Sequence, residues 1–312
     1  MKIIVEAYVP FIKGVLESAG HEVTYLKPEE FDADSVKDAD TLLIRTRTKC
    51  NANLLDCSKV KHIVTATIGT DHIDLNYCAA KGIRVTNAPG CNAPGVAQYV
   101  LSTIGRMSEG RPTVGIIGVG HVGSIVERWA KGNGYPVLLN DPPKGLPLQL
   151  PELLANSDVV TIHTPLDETT RHMVNEEFLS QMKPGAILIN AARGAIVDTP
   201  ALIEAVKRGQ VKAVIDCWEG EPEISSELLE LSSVATPHVA GYSAEGKRRA
   251  TVMAVKALDP SIEMDLPPIA DCPSLEAIVE SYDPFGDTEA LKSNPQAFED
   301  LRNHYNLRSE PS

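Results

Sequence analysis

Residues 113–127 join an apolar run to a glycine-rich turn and then to an amphipathic pattern. The turn has the spacing G-x-G-x-x-G, formed by Gly118, Gly120 and Gly123. In a strand–turn–helix unit the first glycine allows a tight turn, the second lets the backbone approach a pyrophosphate, and the third lets helix and strand pack closely. The helix N-terminus then presents free N–H groups to the phosphates. The spacing therefore predicts a dinucleotide-binding unit, in which His121 and Val122 contact the cofactor. For His121 the alternative is that it only fills space.

A carboxylate ends the next apolar run, residues 135–141. At this point Asp141 can accept hydrogen bonds from the 2′-hydroxyl of a ribose, whereas it would repel the 2′-phosphate of NADP. We therefore expect NAD as the cofactor. The alternative for the whole stretch is a glycine-rich turn with only a structural role.

The composition indicates a globular protein of two domains, because 312 residues exceed one ordinary domain. Contents of 43% hydrophobic and 23% charged residues are ordinary for such proteins. A net charge of −13 argues against binding to nucleic acid or to an anionic membrane. The N-terminus is typical of a strand rather than a signal peptide, and no apolar run is long enough to span a bilayer. We expect no nucleic-acid partner and no membrane association.

The six cysteines are scattered and form no C-x-x-C pair. In a long chain without a secretory signal this pattern is typical of reduced thiols, so we expect a cytoplasmic protein. Cys91 and Cys217 lie near expected ligand loops, but no base accompanies either, so a catalytic cysteine is only a remote alternative. We expect no bound metal.

Strand and helix patterns alternate along most of the chain, which is typical of α/β proteins with parallel sheets. Strands are predicted at residues 2–7, 21–26, 41–46, 62–67, 83–87, 114–117, 137–140, 158–163, 186–190, 213–217 and 233–236. Helices are predicted at residues 10–19, 51–56, 74–81, 94–107, 200–208 and 243–258. Beyond Pro260 the chain is rich in proline and acidic residues, which predicts a loosely structured tail with short helices.

Three charged side chains follow predicted strands in the second half, namely Arg193, Glu221 and His238. Ligands of such sheets bind at the carboxyl ends of the strands. A histidine suits proton transfer because it titrates near neutral pH, and a carboxylate bonded to it would fix its tautomer. An arginine can grip a substrate carboxylate through two hydrogen bonds. For Glu221 the alternative is a solvated acidic turn.

Basic and hydroxyl residues alternate over residues 44–49. If this segment is extended, Arg45, Arg47 and Lys49 share one side, and Thr46 and Thr48 share the other. A charged strand edge is one interpretation. Anion binding is the rival, because the net charge is negative and residues 65–72 supply hydroxyl and glycine-loop N–H groups suited to a carboxylate or phosphate.

With these residues in view, the chain resembles the D-2-hydroxyacid dehydrogenase family from residue 1 to about residue 258. The catalytic arginine, glutamate and histidine of that family match Arg193, Glu221 and His238. Its cofactor residues match the glycine loop together with Asp141, Thr164, Ala191, Ala192, Arg193 and Asp216. The resemblance implies an NAD-dependent dehydrogenase, in which Asp216 contacts the nicotinamide carboxamide.

Further motifs resemble a member of this family that acts on a small phosphorylated hydroxy acid. They are residues 66–74, 88–93, 141–143, 218–222 and 238–247. The resemblance implies that Thr46, Thr67 and Tyr242 contact the substrate and that Gly241 contacts the cofactor. One of the basic residues Arg45, Arg47 and Lys49 would then meet the phosphate. Two departures stand out: the residue matching Thr46 is typically a serine, and the C-terminal region is shorter than the usual dimerisation domain.

The resemblance implies an α/β fold of two Rossmann-like, doubly wound parallel-sheet domains with a cleft between them, plus a short C-terminal tail. Residues 1–93, completed by residues 259–312, would form the substrate domain, and residues 94–258 the NAD-binding domain with the two interdomain helices. A homodimer is expected. Two alternatives remain: a dehydrogenase of another D-2-hydroxy acid such as 3-phosphoglycerate, and an NAD-sensing, corepressor-like binding protein.

Overall fold

Strands and helices alternate along the chain in the computed structural model, which describes residues 1–146 and 148–312. The strands β1 to β11 are Lys2–Glu6, Glu22–Leu26, Thr41–Ile44, His62–Thr65, Arg84–Thr86, Val114–Ile117, Val137–Asn140, Val159–Ile162, Ala186–Asn190, Val211–Ile215 and Val234–Ala235. The helices α1 to α13 are Val15–Ser18, Ala52–Leu55, Leu75–Lys81, Ala93–Met107, His121–Gly132, Leu150–Asn156, Glu176–Gln181, Thr199–Lys207, Ser226–Leu231, Ala244–Leu258, Leu275–Ser281, Pro284–Ser293 and Phe298–Asn303.

The chain forms two compact units, each with its own sheet. Unit 1 comprises Met1–Asn92 and Ala244–Pro268, and unit 2 comprises Ala93–Ser243 and Ile269–Ser312. This division differs from the predicted boundaries at two places. Helix α10 belongs to unit 1 because its apolar side, including Ala254 and Val255, lies in that core. The C-terminal region belongs to unit 2 because Ile278 and Tyr282 are buried in the core of that unit.

Unit 1 contains a five-stranded parallel sheet in the order β2-β1-β3-β4-β5. Strands β3 and β4 are buried along their whole length. Leu43 and Val64 lie in one apolar cluster, and Leu42 and Ile63 lie in another. Successive side chains of a strand point to opposite faces, so these strands are covered on both sides. This explains why they form continuous apolar runs in the sequence.

Unit 2 contains a six-stranded parallel sheet in the order β11-β10-β9-β8-β6-β7. The chain passes outward from β6 to β7 and then returns to the other side of β6 as β8. The strand order therefore reverses between β6 and β8. In open α/β sheets ligands bind at the carboxyl ends of the strands beside such a reversal. The predicted α/β fold with doubly wound parallel sheets is confirmed.

One predicted helix is much shorter than expected. In the region of residues 10–19 only Val15–Ser18 is helical. Phe11 and Gly14 have φ angles of 59° and 81°. This left-handed backbone cannot continue a right-handed helix, so the helix begins only after Gly14. The longer helices α4, α8 and α10 lie close to their predicted positions, and the C-terminal region contains short helices as predicted.

No helix in the described part of the chain has the length and apolar character required to cross a membrane.

His62, at the start of β4, is a buried histidine whose neutral form is held by its neighbours. Its Nδ1 atom accepts a hydrogen bond from the Arg84 guanidinium at 2.9 Å, and its Nε2 atom lies 2.9 Å from the Thr86 hydroxyl. Burial and the charge of Arg84 lower the pKa of His62 to about 4. Burial also lowers the pKa of His72 to about 4 and that of His163 to about 3.

We predict that the protein loses stability as the pH falls from about 6.5 toward 4. An unfolded histidine takes up a proton near pH 6.5, whereas these folded histidines do not, so acid favours the unfolded state over this window. Above about pH 6.5 this contribution to stability is complete. Urea unfolding across the window should show a shallower pH dependence for His62→Gln than for the wild type, because one proton fewer is taken up. An identical pH dependence of the unfolding free energy in His62→Gln and wild type would contradict the lowered pKa of His62.

Candidate functional site

The predicted cofactor and catalytic residues of unit 2 lie along one edge of its sheet. The strand order places Asp141 after β7, the glycine loop after β6, Thr164 after β8, Arg193 after β9, Glu221 after β10 and His238 after β11. All six strands are parallel, so these segments emerge at the same, carboxyl edge. The structure thus brings the predicted set together in a row along the sheet.

The glycine loop has the close contacts that its spacing predicts. Gly118 has a φ angle of 85°, and a Cβ atom there would lie 2.8 Å from the backbone of His163. A Cβ atom on Gly123 would lie 2.0 Å from the carbonyl oxygen of Gly118. A Cβ atom on Gly120 would meet nothing within 4 Å. The first and third glycines are therefore required by the fold, whereas the backbone at Gly120 is open to an approaching phosphate. Helix α5 begins at His121, immediately after it.

Asp141 connects the end of β7 to the glycine loop. Its Oδ2 atom accepts a hydrogen bond from the backbone N–H of Val119 at 2.8 Å. Lys144, in the same turn, donates to the carbonyl oxygen of Val119. The first bond fixes the carboxylate beside the loop, where it can accept hydrogen bonds from ribose hydroxyls. The second bond ties the turn to the same loop residue. The role of Lys144 was missed by sequence reasoning, because a lysine after two prolines carries no distinctive signal.

The hydroxyl of Thr164 is a buried polar group that the protein itself leaves unsatisfied. Its Oγ1 atom is inaccessible to solvent and makes no hydrogen bond within the described residues. A buried hydroxyl without a partner costs about 1–3 kcal/mol, so such a group in a native structure calls for a ligand or an ordered water. Together with the open backbone at Gly120, this hydroxyl fits a bound dinucleotide. The donor set therefore suits NAD.

A buried asparagine shapes the loop that carries Arg193. Asn190, the last residue of β9, donates through Nδ2 to the carbonyl oxygens of Arg193 and Cys217 at 3.0 and 3.1 Å. Its Oδ1 atom accepts from the N–H of Ala192 at 3.2 Å. Residues 191–193 are thereby held as an ordered loop, in which the half-buried guanidinium of Arg193 donates to the carbonyl of Ala192 at 2.8 Å. Sequence reasoning did not single out Asn190, although a polar residue at the end of an apolar run could have indicated it.

His238 and Glu221 form a hydrogen-bonded pair. The Nδ1 atom of His238 lies 2.6 Å from Oε1 of Glu221, and the two side chains are 26% and 24% exposed. Burial opposes the charge on Glu221, yet its hydrogen bond to His238 and the His238 charge lower the pKa of the carboxyl below its ordinary value. An ionised Glu221 directs the Nδ1 proton toward itself. The Nε2 atom, which makes no hydrogen bond within the described residues, is then the nitrogen open to a substrate.

Asp216 anchors the loop that contains His238. The carboxylate is fully buried, and burial raises its pKa above the ordinary value. Its Oδ1 atom accepts from the Thr236 hydroxyl and the Val239 N–H, each at 2.7 Å, and both of its oxygens lie 3.1 Å from the Ala240 nitrogen. The N–H of His238 donates to the backbone carbonyl of Asp216 at 2.9 Å. These bonds give Asp216 a clear positioning role, beside the cofactor contact that the family resemblance implies.

Gly241 and Tyr242 complete the same loop. The N–H of Tyr242 donates to the carbonyl of Val239 at 2.8 Å, which closes a turn around Gly241. The Tyr242 ring packs edge-on against Tyr305, with ring centroids 6.0 Å apart. Both predicted residues therefore lie within four residues of His238 in a well-supported turn.

In unit 1, the predicted alternation of residues 45–49 is wrong. Strand β3 ends at Ile44, and the following residues form a turn. The cause is Glu6, a buried carboxylate at the end of β1, which accepts from the Arg45 N–H at 2.9 Å and the Thr48 hydroxyl at 2.8 Å. The turn buries Thr48 and leaves Thr46 and Lys49 exposed.

The two arginines of this turn both lie near Tyr8. The Arg45 guanidinium donates to the carbonyl oxygen of Tyr8 at 2.9 Å, and the Arg47 guanidinium lies 5.5 Å from the centroid of the Tyr8 ring. These contacts place both guanidinium groups near Tyr8, although the segment is not extended and its side chains do not alternate between two sides.

Thr67, the other predicted substrate residue of unit 1, is part of a hydroxyl network. Its Oγ1 atom lies 2.6 Å from the Thr65 hydroxyl and donates to the carbonyl of Gly69 at 2.9 Å. The Nε2 atom of His72 lies 3.2 Å from the same Thr65 hydroxyl. Because burial lowers the pKa of His72 to about 4, this histidine is neutral at neutral pH and cannot supply a positive charge to an anion.

The chain is similar to known proteins over most of its length. Residues 103–240 match the family model for the NAD-binding domain of D-isomer specific 2-hydroxyacid dehydrogenases. The chain is 44% identical to an erythronate-4-phosphate dehydrogenase of Bacteroides fragilis, with 99% of this chain and 97% of that protein covered. It is 39% identical to the enzyme of the same name from Porphyromonas gingivalis, with 98% and 92% covered.

Among solved structures, the chain is similar to an NAD⁺-bound 3-phosphoglycerate dehydrogenase of Entamoeba histolytica, with a TM-score of 0.69 and 26% identity. That match covers 86% of this chain and 99% of the other. The NAD cofactor predicted from the glycine loop and Asp141 is confirmed by the family model and by this NAD-bound neighbour. From its similarity over nearly the whole length, the chain belongs to the erythronate-4-phosphate dehydrogenases, a group of NAD-dependent enzymes within the D-2-hydroxyacid dehydrogenase family.

Proposed function

We propose that this enzyme oxidises 4-phospho-D-erythronate to (R)-3-hydroxy-2-oxo-4-phosphooxybutanoate, a step in pyridoxine 5′-phosphate (vitamin B6) biosynthesis. The observation that carries the proposal is the 2.6 Å hydrogen bond between His238 and Glu221 on the carboxyl edge of an NAD-binding sheet. The name of the relatives supports the choice of substrate. The six cysteines are free thiols, which supports a reducing, cytoplasmic location.

His238 is the proton acceptor for the C2 hydroxyl of the substrate. Its Nδ1 proton is held by Glu221, so the Nε2 lone pair takes the hydroxyl proton as the C2–O bond becomes a carbonyl. Bound at the glycine loop, NAD would supply the acceptor for the hydride that leaves C2. The charge of Glu221 then stabilises the imidazolium, because an ionised carboxylate in hydrogen-bond contact favours the protonated histidine.

Arg193 holds the substrate carboxylate and polarises the C2 oxygen. A guanidinium presents two parallel N–H donors that match a carboxylate, which fixes the orientation of the reacting carbon. Its loop is ordered by Asn190, so this donor is positioned before substrate arrives. Preorganised donors cost little reorganisation during the reaction.

The substrate phosphate binds to the basic turn of unit 1. Arg45, Arg47 or Lys49 supplies the positive charge, and the hydroxyl groups of Thr46 and Thr67 contact the substrate. The buried Glu6 supports this role because it fixes the backbone of the turn through Arg45 and Thr48. In a chain of net charge −13, such a positive turn makes a local exception to a field that repels anions.

The substrate assignment predicts a clear order of reactivity. NADH formation should be fastest with 4-phospho-D-erythronate, and kcat/KM should fall about 10–100-fold for D-erythronate, since a hydrogen bond to a charged group contributes about 1.5–3 kcal/mol. Faster turnover of 3-phosphoglycerate would replace the proposed substrate with that one. Equal kcat/KM values for D-erythronate and 4-phospho-D-erythronate would contradict the proposed phosphate site.

The assignment of His238 predicts a loss of turnover on substitution. His238→Ala should lower kcat about 10²–10⁴-fold, the usual share of general acid–base catalysis. His304→Ala is a matched control, because His304 also pairs with a carboxylate, Asp300, but the two side chains are 79% and 72% exposed. Near-native kcat in His238→Ala would refute the mechanism.

We also propose that the enzyme is a homodimer. Exposed apolar side chains in its C-terminal region support a contact between copies, since Ile269 and Phe285 are 43% and 42% exposed. Native mass spectrometry should therefore give a mass near twice 33.6 kDa. A mass of one chain at micromolar concentration would contradict this part of the proposal.

A further inference from the structure

The end of the chain folds over the loop that carries His238. Helix α13 is anchored in the core of unit 2 by Phe298, which is 1% exposed. Beyond it, the Arg308 guanidinium donates to the carbonyl oxygens of Val239 (at 3.0 Å) and Ala240. Tyr305 packs against Tyr242. The C-terminal segment, residues 298–308, thus contacts both sides of the turn that contains Gly241.

Arg302 extends from α13 toward this loop as a largely buried cation. Its side chain is only 18% exposed. The Nε atom lies 3.4 Å from the Tyr242 hydroxyl, and the Nη1 atom lies 3.3 Å from Oε1 of Glu299. The Tyr242 contact reaches outside its own helix, to a residue sixty positions earlier in the chain. Arg302 therefore connects α13 to the loop that contains Tyr242, in addition to its pairing with Glu299 within the helix.

The charge of Arg302 is also felt at the Glu221 carboxyl. Burial raises the pKa of Glu221, whereas His238, the Trp218 N–H and, more weakly, the charge of Arg302 lower it. Burial alone would lower the pKa of Arg302, but Tyr242 and the charges of Glu221 and Glu299 raise it above its ordinary value. A buried cation is costly unless charged or polar groups surround it. Here those groups include Tyr242 and Glu221, two residues of the proposed active site.

We propose that Arg302 is a positioning residue of the active site, which holds the Tyr242 hydroxyl in place on the loop that carries His238. This inference rests on the proposed roles of Tyr242, Glu221 and His238. Without the guanidinium, Tyr242 loses a donor that fixes its ring. Substrate turnover should fall, whereas NAD binding at the glycine loop should not change.

A double-mutant cycle tests the inference. Arg302→Gln should lower kcat/KM about 10–100-fold, the range for losing a hydrogen bond to a charged group. Tyr242→Phe removes the hydroxyl, and the double variant should lose at least about fivefold less than the product of the single losses, because the two residues act through one contact. Binding of NAD, followed by protein fluorescence, should stay within about twofold of wild type in all three variants.

Glu299→Gln is the matched control. It removes the negative charge of Glu299, the other side chain paired with Arg302 on the same helix, but leaves the guanidinium and Tyr242 in place, so kcat/KM should stay within about twofold of wild type. Should Arg302→Gln fail to fold, Arg302→Lys takes its place in the cycle with Tyr242→Phe. A lysine keeps the charge but lacks the Nε donor, so coupling with Tyr242→Phe is again expected.

The inference is overturned by wild-type kcat/KM in Arg302→Gln, or by losses that simply multiply in the cycle. A parallel fall in NAD affinity and thermal stability, unrelieved by Arg302→Lys, would likewise assign Arg302 a purely structural role. The proposed function fails separately, if the wild type does not oxidise 4-phospho-D-erythronate or if His238→Ala retains full activity. If the wild type oxidises a different hydroxy acid, the double-mutant cycle of Arg302 and Tyr242 is measured with that substrate.

Discussion

The proposed active site depends on one buried carboxylate. Asp216 lies at the end of β10 and is fully removed from solvent, a placement that is costly unless the charge is hydrogen-bonded. Its partners are the Thr236 hydroxyl and the N–H groups of Val239 and Ala240, all on the segment after β11. These bonds hold His238 at a φ angle of 57°, in the left-handed region that costs a non-glycine residue about 1–2 kcal/mol. The strain persists because the surrounding contacts determine the loop.

Pairing with a carboxylate does not by itself identify the functional histidine. His21, His172 and His304 also lie within 3.0 Å of a carboxylate oxygen, at Asp259, Glu219 and Asp300. His238 differs from them because it directly follows β11 at the carboxyl edge of the NAD-binding sheet, in a loop that the buried Asp216 anchors. His62, His72 and His163 differ in another way, because burial keeps them neutral at neutral pH. The role of each histidine therefore depends on its position in the fold and on its burial.

Much of unit 2 could be predicted because local sequence patterns determine it. Continuous apolar runs predict buried parallel strands, and a polar residue after such a run lies at the sheet edge where ligands bind. The glycine spacing predicts its own contacts, as the close approach between Gly123 and Gly118 illustrates.

Contacts between distant parts of the chain could not be predicted in the same way. Glu6 ends the extended conformation expected for residues 45–49, although nothing near those residues signals it. The C-terminal region was expected to complete the first domain, yet Ile278 and Tyr282 lie in the core of unit 2. Arg302 reaches Tyr242 only because α13 folds back over this unit. Each of these interactions depends on which surfaces meet in three dimensions, and no pattern of local hydrophobicity encodes that.

The order of the strands in unit 2 also sets the distance between Asp141 and His238 along the sheet edge. Five strand-to-strand steps separate β7, which is followed by Asp141, from β11, which is followed by His238. At ~4.8 Å a step, the edge between them spans about 24 Å. Adding or deleting one strand would displace one end by ~4.8 Å, more than the separation of about 3–3.5 Å at which reacting atoms must meet. Loops at this edge can therefore diverge between related enzymes and change the substrate, whereas the number of strands between the two ends cannot.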